Sequence, residues 1–310
     1  MATTIAPTKA PLRSATRPVG AALLTVVLWA ASFPAIAVAL RGFDPAPLAA
    51  LRFVGASAAL LVIARMADIG LPRPSDLPRI AATGVVGIAA YNLLLNLGQT
   101  TVSAGTTVLL INTNPILTAI LARFLLGERL RPAGWLGILM AFAGAALIAL
   151  SRSGWSFEVE WGTVYLLAAA LCFALQWVLQ KPLLARHRPL AVATWVIWAG
   201  TFLLLPFAPA GLRQLAAASA DAIAATVFLA LGPAALAYAA WGYAVAHFAL
   251  GRAASFLYLV PPVSLLIAYA LLGEVPGLWT LAGGVLTLSG VIVVNTLGRA
   301  SGPPRAKEPA

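Results

Sequence analysis

The feature that most constrains the fold of this chain is an internal repeat of apolar helices broken by proline. The stretch from Gly105 to Leu126 is apolar, is interrupted at residues 112–115 by Asn-Thr-Asn-Pro, and runs into the sequence Leu-Leu-Gly-Glu. Its landmarks return after a shift of 146 positions: Gly105 as Gly251, Pro115 as Pro261, residues 125–128 as 271–274, Gly137 as Gly283, and Gly144 as Gly290. So many matches at one spacing indicate a duplication. The chain is therefore predicted to contain two copies of one apolar unit.

Long segments without charge place the chain in the membrane class. The 310 residues are 61% hydrophobic and 9% charged, and no Asp, Glu, Lys or Arg occurs between Arg79 and Arg123 or between Arg252 and Glu274. About 20 consecutive apolar residues span the hydrocarbon core of a bilayer. The single cysteine, Cys172, lies within an apolar run, which excludes a disulfide framework. The first apolar run is interpreted as a retained helix, because the rest of the chain is equally apolar.

The apolar runs predict an all-α integral membrane protein with ten transmembrane helices. They fall at residues 19–40, 46–65, 79–97, 104–126, 132–150, 161–181, 190–208, 222–246, 253–272 and 277–297. The first repeat spans residues 19–150 and the second 161–297, flanked by a disordered cytoplasmic tail at 1–18 and a second cytoplasmic tail at 298–310. Because five helices per copy is an odd number, the second copy enters the membrane inverted. Two inverted repeats around a central cavity are typical of secondary transporters.

The distribution of Lys and Arg predicts the orientation of these helices. Sixteen of the 20 basic residues fall on the side of the membrane that holds the N-terminus, and four (Arg41, Arg52, Arg152 and Arg213) on the other. Cytoplasmic loops carry an excess of Lys and Arg. Both termini are therefore predicted to be cytoplasmic, in a multi-pass protein of the inner (plasma) membrane. The net charge of +11 reflects this topology and does not indicate a nucleic-acid partner.

Short motifs give the chain a family resemblance. Leu51-Arg52-Phe53 opens the second helix, and Leu126-Gly127-Glu128 is followed by a helix with glycines at 137 and 144. The same Leu-Gly-Glu sequence, followed by a helix with two glycines, occurs at the corresponding place in the second half. In these motifs the chain resembles a tandem pair of EamA domains, the ten-helix branch of the drug/metabolite transporter superfamily, over roughly residues 20–297. Within that family, the size and the polar-aromatic interior resemble bacterial amino-acid exporters, particularly the aromatic amino-acid exporter.

The two copies differ at the proline break, which indicates one composite site. Asn112, Thr113 and Asn114 of the first copy become Tyr258, Leu259 and Val260 in the second. Proline removes a backbone hydrogen bond and bends the helix. Matching breaks in two inverted halves indicate a binding site at the membrane midplane. Gating or hinge residues are therefore predicted at Pro115, Pro261 and Pro262, and a structural kink is the alternative.

The predicted substrate site combines aromatic and amide side chains. Asn92 and Asn96 lie one turn apart on one face of the third helix, and Gln99 continues that face. Amides facing lipid are costly, so this face should look inward. The full set is Trp29, Ser32, Tyr91, Asn92, Asn96, Asn112, Asn114, Gln176, Trp177, Gln180, Tyr238, Trp241 and Tyr258. An aromatic wall with amides suits a flat, partly apolar solute with polar ends; interhelical hydrogen bonding and packing are the alternatives.

The charged residues point to a transport mechanism less clearly than the aromatic and amide residues do. Glu128 and Glu274 close their helices at an interface. Glu128, which has Arg123, Arg129 and Arg131 nearby, is interpreted as a cap or ion-pair partner, and a role of either acid in proton coupling stays open, as does any role of His247. The first helix contains no carboxylate. Arg52 is predicted to reach the outer surface, with anion binding at the external mouth as the alternative to a structural role.

These features predict a secondary transporter and no enzyme. It would export small organic solutes, above all aromatic amino acids, by alternating access as a uniporter or with proton coupling. The alternatives are a multidrug, nucleotide-sugar or phosphorylated-metabolite transporter and, more remotely, an integral-membrane lipid enzyme. No Gly-Lys phosphate loop and no metal-ligand spacing occur, so neither a cofactor nor a metal is expected. The expected partners are the substrate and the lipid bilayer, with the protein a monomer or weak dimer.

Overall fold

The computed structural model describes residues 16–125, 131–152, 160–247 and 256–297, and these form helices and no strand. The ten helical segments are α1 (Thr16–Ala39), α2 (Pro45–Met66), α3 (Pro74–Gln99), α4 (Ala104–Leu125), α5 (Pro132–Arg152), α6 (Trp161–Leu184), α7 (Pro189–Leu215), α8 (220–247), α9 (Leu257–Leu272) and α10 (Leu278–Thr296). Eight of the segments in the described residues are long and apolar enough to cross a membrane, and α9 and α10 are shorter apolar helices. The all-helical membrane protein predicted from the sequence is confirmed.

The helix bounds depart from the predicted ones where proline or glycine acts. α1 begins at Thr16, inside the segment predicted to be a tail. α3 begins earlier than predicted, with a 3₁₀ turn at Pro74–Asp76, because proline fits the first turn of a helix. α9, by contrast, ends at Leu272 as predicted, because the next residue, Gly273, has a left-handed φ of 66°, which favours glycine. The motif residues Gly127, Glu128 and Gly251 and the tails 1–15 and 298–310 lie outside the described residues.

Four of the helices carry interruptions of the α-helical pattern, and in α7 the interruption is a 3₁₀ turn at Leu205–Phe207. α4 is broken at Asn112 and Thr113, between the α-helical stretches Ala104–Ile111 and Asn114–Leu125. α3 contains a π-helical stretch at Val85–Ala90, and α8 contains one at Gly232–Leu236. A π turn holds an extra residue and redirects the side chains that follow it.

Helices α5 and α10 pack closely through glycines. A Cβ atom added at Gly137 would lie 2.7 Å from the carbonyl oxygen of Gly290, and one added at Gly144 would lie 2.5 Å from that of Gly283. Only glycine permits such an approach, as in other membrane helix pairs with small residues at the contact. Because the higher-numbered glycine of α5 meets the lower-numbered glycine of α10, the two helices are antiparallel.

The apolar interior consists of two large groups of side chains. One joins α1 and α4 with α6 and α9, and the other joins α2 and α3 with α7 and α8. Many large apolar side chains on the outside are exposed, among them Val62, Leu139 and Phe202. An apolar exterior over this much of a helical bundle is what a lipid environment requires.

Candidate substrate-binding site

A buried cation lies in the interior of the bundle. Arg52 is in α2, two turns after Pro45, and only 7% of it is exposed. Its Nη1 donates a hydrogen bond to Oδ1 of Asn92 at 3.0 Å, and its Nε has no hydrogen-bond partner among the described residues. The prediction that Arg52 reaches the outer surface is therefore wrong: its long side chain turns inward to an amide that lies 40 positions later in the sequence.

Two tyrosines and a glutamine join this arginine. Arg52 interacts electrostatically with Tyr91 and with Tyr238, and the hydroxyl of Tyr238 also interacts with Gln176. The side chains of Asn92 and Gln176 are each 2% exposed. Arg52, Tyr91, Asn92, Gln176 and Tyr238, here called the polar cluster, bring together α2, α3, α6 and α8. Such a group of donors and acceptors can hold the polar end of a solute.

The two π-helical stretches position the polar cluster. In α3 the stretch Val85–Ala90 ends directly before Tyr91, and in α8 the stretch Gly232–Leu236 ends just before Tyr238. Nδ2 of Asn92 donates to the carbonyl oxygen of Ile88, inside the first stretch, at 2.8 Å. π turns recur at functional sites because they redirect side chains and backbone carbonyls. Sequence periodicity assumes a regular helix, so it did not reveal either stretch.

Gly87 makes room for Gln176. The amide group of Gln176 occupies the position that a Cβ at residue 87 would need. Oε1 of Gln176 has no hydrogen-bond partner among the described residues, although the side chain is buried. A buried acceptor without a partner is costly and is rare in folded proteins. The cluster thus holds an unused acceptor on Gln176 as well as an unused donor on Arg52.

Aromatic side chains surround the polar cluster, and of these Trp29, Phe173 and Trp177 are partly exposed and Trp241 is buried. Trp29 lies 5.6 Å from Tyr238 and 5.8 Å from Trp241, measured between ring centroids. On the other side Tyr91 stacks on Phe173 at 4.8 Å, and Phe173 lies 5.9 Å from Trp177. The structure therefore brings together the aromatic residues predicted for the site other than Tyr258. Phe173, one turn before Trp177, also belongs to this wall and was not predicted, since phenylalanine in an apolar run carries no polar signal.

The other predicted amides and the serine mainly bind backbone carbonyls. Nδ2 of Asn96 donates to Pro45 O at 2.8 Å, and Nε2 of Gln99 donates to Phe33 O at 3.0 Å. The hydroxyl of Ser32 donates to the carbonyl of Trp29. Gln180 is buried, and its Oε1 has no partner among the described residues. For the third helix, the inward-facing amide side chains make interhelical hydrogen bonds, which was the alternative to a substrate contact.

The residues at the helix breaks form contacts of their own. Nδ2 of Asn112 donates to Val108 O within α4, and Oδ1 of Asn114 accepts from Thr118. Tyr258 packs with a separate apolar group formed by Ile116, Ala119, Ile138, Ala141, Val291 and Val294. Asn112 and Asn114 thus bond within α4, and Tyr258 packs with that apolar group.

The prolines predicted as hinges lie at the starts of helical stretches. Pro115 is in the first turn of the stretch Asn114–Leu125, and Pro261 and Pro262 are in the first turn of Val260–Leu272. In a continuous α4 the carbonyl of Ile111 would accept from residue 115, which as proline has no N–H. The predicted break in α4 is therefore present.

Charged contacts close one end of the bundle, here called the Asp76 end. Asp76, at the start of α3, is 2% exposed and lies 3.1 Å from Nη2 of Arg186 and 2.8 Å from Nε2 of His187. Nε1 of Trp195 donates to Gly70 O at 3.1 Å across the same gap. A cavity of about 330 Å³ adjoins these contacts, lined by Asp68, Ile69, Gly70, Leu71, Arg73, Arg186, His187, Arg188, Ala191 and Trp195.

A helix cap closes the opposite end, here called the Glu274 end. The carboxylate of Glu274 accepts hydrogen bonds from the backbone N–H groups of Ala104 (3.1 Å) and Gly105 (2.9 Å), at the start of α4. The side chains of Asp44 and Gln214 pair at 2.6 Å on the same side. A second cavity, of about 400 Å³, adjoins Glu274 and is lined by Pro262, Leu265, Leu266, Tyr269, Glu274, Val275 and Pro276. Both cavities lie apart from the polar cluster, where the sequence had predicted a central one.

The sequence matches the model of a protein family over two adjacent stretches. The family is described as the EamA-like transporter family, and its model matches residues 16–150 and again residues 160–296. The first stretch holds α1–α5 and the second holds α6–α10.

Three curated proteins are similar to the chain over most of its length. A "probable terminal-alkyne amino-acid exporter" of Streptantibioticus cattleyicolor is 44% identical over 91% of this chain and 95% of its own length. The "uncharacterized transporter YdfC" of Bacillus subtilis is 35% identical over 86% of this chain and 87% of its own. A "probable amino-acid metabolite efflux pump" of Salmonella typhimurium is 29% identical over 89% of this chain and 94% of its own.

A solved structure shares the fold. It aligns with a TM-score of 0.62 over 91% of this chain and 99% of its own, at 23% sequence identity. At that identity the likeness concerns the fold alone.

Proposed function

Because this chain belongs to the EamA-like transporter family, we propose that it exports amino acids, above all those with aromatic side chains, across the inner membrane. The observation that carries the proposal is the polar cluster with aromatic side chains on both sides. A buried arginine, two amides and two phenolic hydroxyls suit the zwitterionic end of an amino acid. Aromatic rings at stacking distance suit a flat apolar side chain.

The named relatives support the class of substrate. One that is 44% identical is named a probable exporter of terminal-alkyne amino acids. Another is named an amino-acid metabolite efflux pump. Both names agree with an amino-acid head group at the polar cluster, and they differ in the side chain. The aromatic preference proposed here rests on Trp29, Tyr91, Phe173, Trp177 and Trp241.

We further propose that the ten helices form two inverted five-helix repeats with both termini in the cytoplasm. The antiparallel contact of α5 with α10 supports this arrangement, because the two repeated glycines of α5 meet their counterparts on α10 crosswise, Gly137 with Gly290 and Gly144 with Gly283. The π-helical stretches in α3 and α8, the third helix of each copy, support it as well. The excess of Lys and Arg on the N-terminal side supports the orientation. The repeats would run from 19 to 150 and from 161 to 297.

We propose alternating access, and contacts between the copies at both ends of the bundle support it. Asp76 and Arg186 belong to different copies, as do Glu274 and Ala104. Opening either end separates the copies there, while the other end stays closed. The break in α4 and the prolines at 115, 261 and 262 are the proposed hinges. The polar cluster contains no carboxylate, so we favour uniport over proton coupling. The protein is proposed to act as a monomer or weak dimer.

A phosphorylated solute is the second candidate, because Arg52 is a buried cation. Phosphate groups carry up to two negative charges and are held in proteins by several Arg or Lys side chains. The other members of the polar cluster are neutral amides and tyrosines. A single arginine matches the single charge of a carboxylate, and this favours the amino acid.

Counterflow in proteoliposomes tests the proposal. Proteoliposomes that contain the purified protein are loaded with an unlabelled amino acid. Uptake of labelled phenylalanine, tryptophan, threonine and propargylglycine, a terminal-alkyne amino acid, is then followed with and without a pH gradient. We expect counterflow of phenylalanine and tryptophan without a gradient and its loss in Trp177→Ala. Counterflow of propargylglycine alone would keep the amino-acid class and refute the aromatic preference. No counterflow of any amino acid would refute the proposed substrate class.

A further inference from the structure

Arg52 lacks the counter-charge that a buried cation requires. Asp76 pairs with Arg186 and His187, whereas Arg52 has no acidic partner among the described residues. Moving an ion from water into a protein interior costs several kcal/mol unless a charge of opposite sign or enough hydrogen bonds compensate for it. Arg52 has one hydrogen bond to the neutral amide of Asn92, and its guanidinium carbon lies 5.1 Å from the ring of Phe53. These contacts compensate for the charge only in part.

The unused edge of the guanidinium is suited to a carboxylate. An arginine presents five N–H donors in a planar fork that binds the two oxygens of a carboxylate side by side. In Arg52, Nη1 is engaged with Asn92 and Nε has no partner among the described residues. We propose that Arg52 binds the α-carboxylate of the transported amino acid, an assignment that rests on the proposed function. The carboxylate supplies the missing counter-charge, so Arg52 is a substrate-binding residue.

The neighbours of Arg52 complete the recognition of a zwitterion. Oε1 of Gln176 is a buried acceptor without a partner and belongs to the same cluster through Tyr238. An ammonium group has three donors and no acceptor. The amino acid thus meets a donor edge on Arg52 for its carboxylate and an acceptor on Gln176 for its ammonium. Its side chain then lies among the partly exposed rings of Trp29, Tyr91 and Phe173.

The simpler role of Arg52 is to tie α2 to α3 through Asn92. That role does not depend on the substrate, so it predicts that substitution lowers the transport of every solute to the same extent. Binding of the carboxylate predicts an effect only on solutes that have one. The two roles are separated by comparing a substrate with its own uncharged derivative.

The experiment compares phenylalanine with phenylalaninamide in wild-type protein and in Arg52→Gln. The two ligands differ only in the carboxylate, which is an amide in phenylalaninamide. Counterflow of each labelled ligand is measured, and each unlabelled ligand is added as a competitor to compare their apparent affinities. A bidentate hydrogen-bonded ion pair corresponds to roughly a 10- to 100-fold preference. We expect the wild type to prefer phenylalanine by that factor, Arg52→Gln to lose the preference because its transport of the acid falls more than its transport of the amide, and Arg52→Lys to keep part of it.

Two controls keep the outcomes separate. Arg213→Gln removes the same charge at an exposed position of α7 and should leave the preference unchanged. Thermal unfolding in detergent, with and without each ligand, measures binding independently of transport. If amino acids stabilise the wild type but are not transported, the proposed function fails and the binding role stands.

Three results would overturn the role of Arg52. One is a wild-type protein that neither prefers phenylalanine over its amide in counterflow nor is stabilised more by it. Another is an Arg52→Gln variant in which the transport of acid and amide falls equally. That is the outcome expected if Arg52 only links α2 to α3. The third is a variant that keeps the preference, because another group then binds the carboxylate. If Arg52→Gln does not fold, the role of Arg52 is tested by the preference of the wild type for phenylalanine over its amide and by the change in that preference in Arg52→Lys.

Discussion

At the Asp76 end of the bundle the two copies meet through charged side chains, whereas at the Glu274 end a carboxylate of one copy binds the backbone of the other. Asp76 is almost fully buried between Arg186 and His187, of which Arg186 is 49% exposed. Glu274 accepts from two N–H groups in the first turn of α4. The contact at the Asp76 end joins side chains that lie on loops and helix ends. The contact at the Glu274 end joins a carboxylate to the backbone of the first turn of α4.

The difference indicates how each end would open. Separating Asp76 from Arg186 and His187 lets water reach all three side chains, and solvated charges lose little on separation. Separating Glu274 from α4 uncaps the first turn of a helix, whose N–H groups carry a partial positive charge. Movement at the Glu274 end therefore involves the stretch Ala104–Ile111 as a unit, up to the break at Asn112.

The largest effect is expected from preventing either end from opening. In a Cys172→Ser background, Asp76→Cys with His187→Cys and, separately, Asp44→Cys with Gln214→Cys place thiols where side chains now touch. Cross-linking either pair with a short bifunctional thiol reagent should reduce counterflow to background, and a reducing agent should restore it. Persistent transport through a fully cross-linked pair would refute alternating access at that end.

An intermediate effect is expected from Asp76→Asn. The variant keeps the shape of the side chain but loses two charge-assisted hydrogen bonds, and we expect about 1–2 kcal/mol of lost stability, less than for a fully buried pair because Arg186 is half exposed. Trypsin should then cleave faster after Arg186, which lies at this end. Thermal unfolding measures the stability, and an unchanged cleavage rate would mean that Asp76 does not hold this end closed.

The smallest effect is expected from Glu274→Gln at the other end. Glutamine still offers one acceptor to the start of α4, so the loss is that of a charge at a helix N-terminus, about 0.5–1 kcal/mol. Gln214→Ala, on the same side and exposed, serves as the control and should change stability by less than about 0.5 kcal/mol. If Glu274→Gln lowers the stability in thermal unfolding by more than Asp76→Asn does, the Glu274 end is held more tightly than the Asp76 end, and the expected order of the two ends is wrong.

The helices could be predicted from the sequence because a bilayer fixes their length and composition. Runs without charge delimited α1, α2, α5 and α6 to within a few residues. The polar cluster could be predicted only in part. Tyr91, Asn92, Gln176 and Tyr238 were identified because amides and aromatic rings inside apolar runs need an interior environment, and the structure brings them together.

Arg52 was misplaced for a physical reason that the structure makes plain. Counting charges by loop assigns every arginine near a helix end to the aqueous side, and Arg52 is two turns from the start of α2. Its partner Asn92 is on another helix, and the π-helical stretch before Asn92 changes the direction in which that side chain points. Neither the pairing nor the π turn leaves a periodic signal in the sequence.

The contact between α5 and α10 is self-complementary. Gly137 meets Gly290, the counterpart of Gly144 in the second copy, and Gly144 meets Gly283, the counterpart of Gly137. A surface that pairs with its own copy in this way is the interface of a twofold symmetric dimer. A single five-helix unit inserted in both orientations would associate with itself through these glycines. Joining two such units in one chain allows their other surfaces to diverge: position 198, 146 residues after Arg52, is a tryptophan.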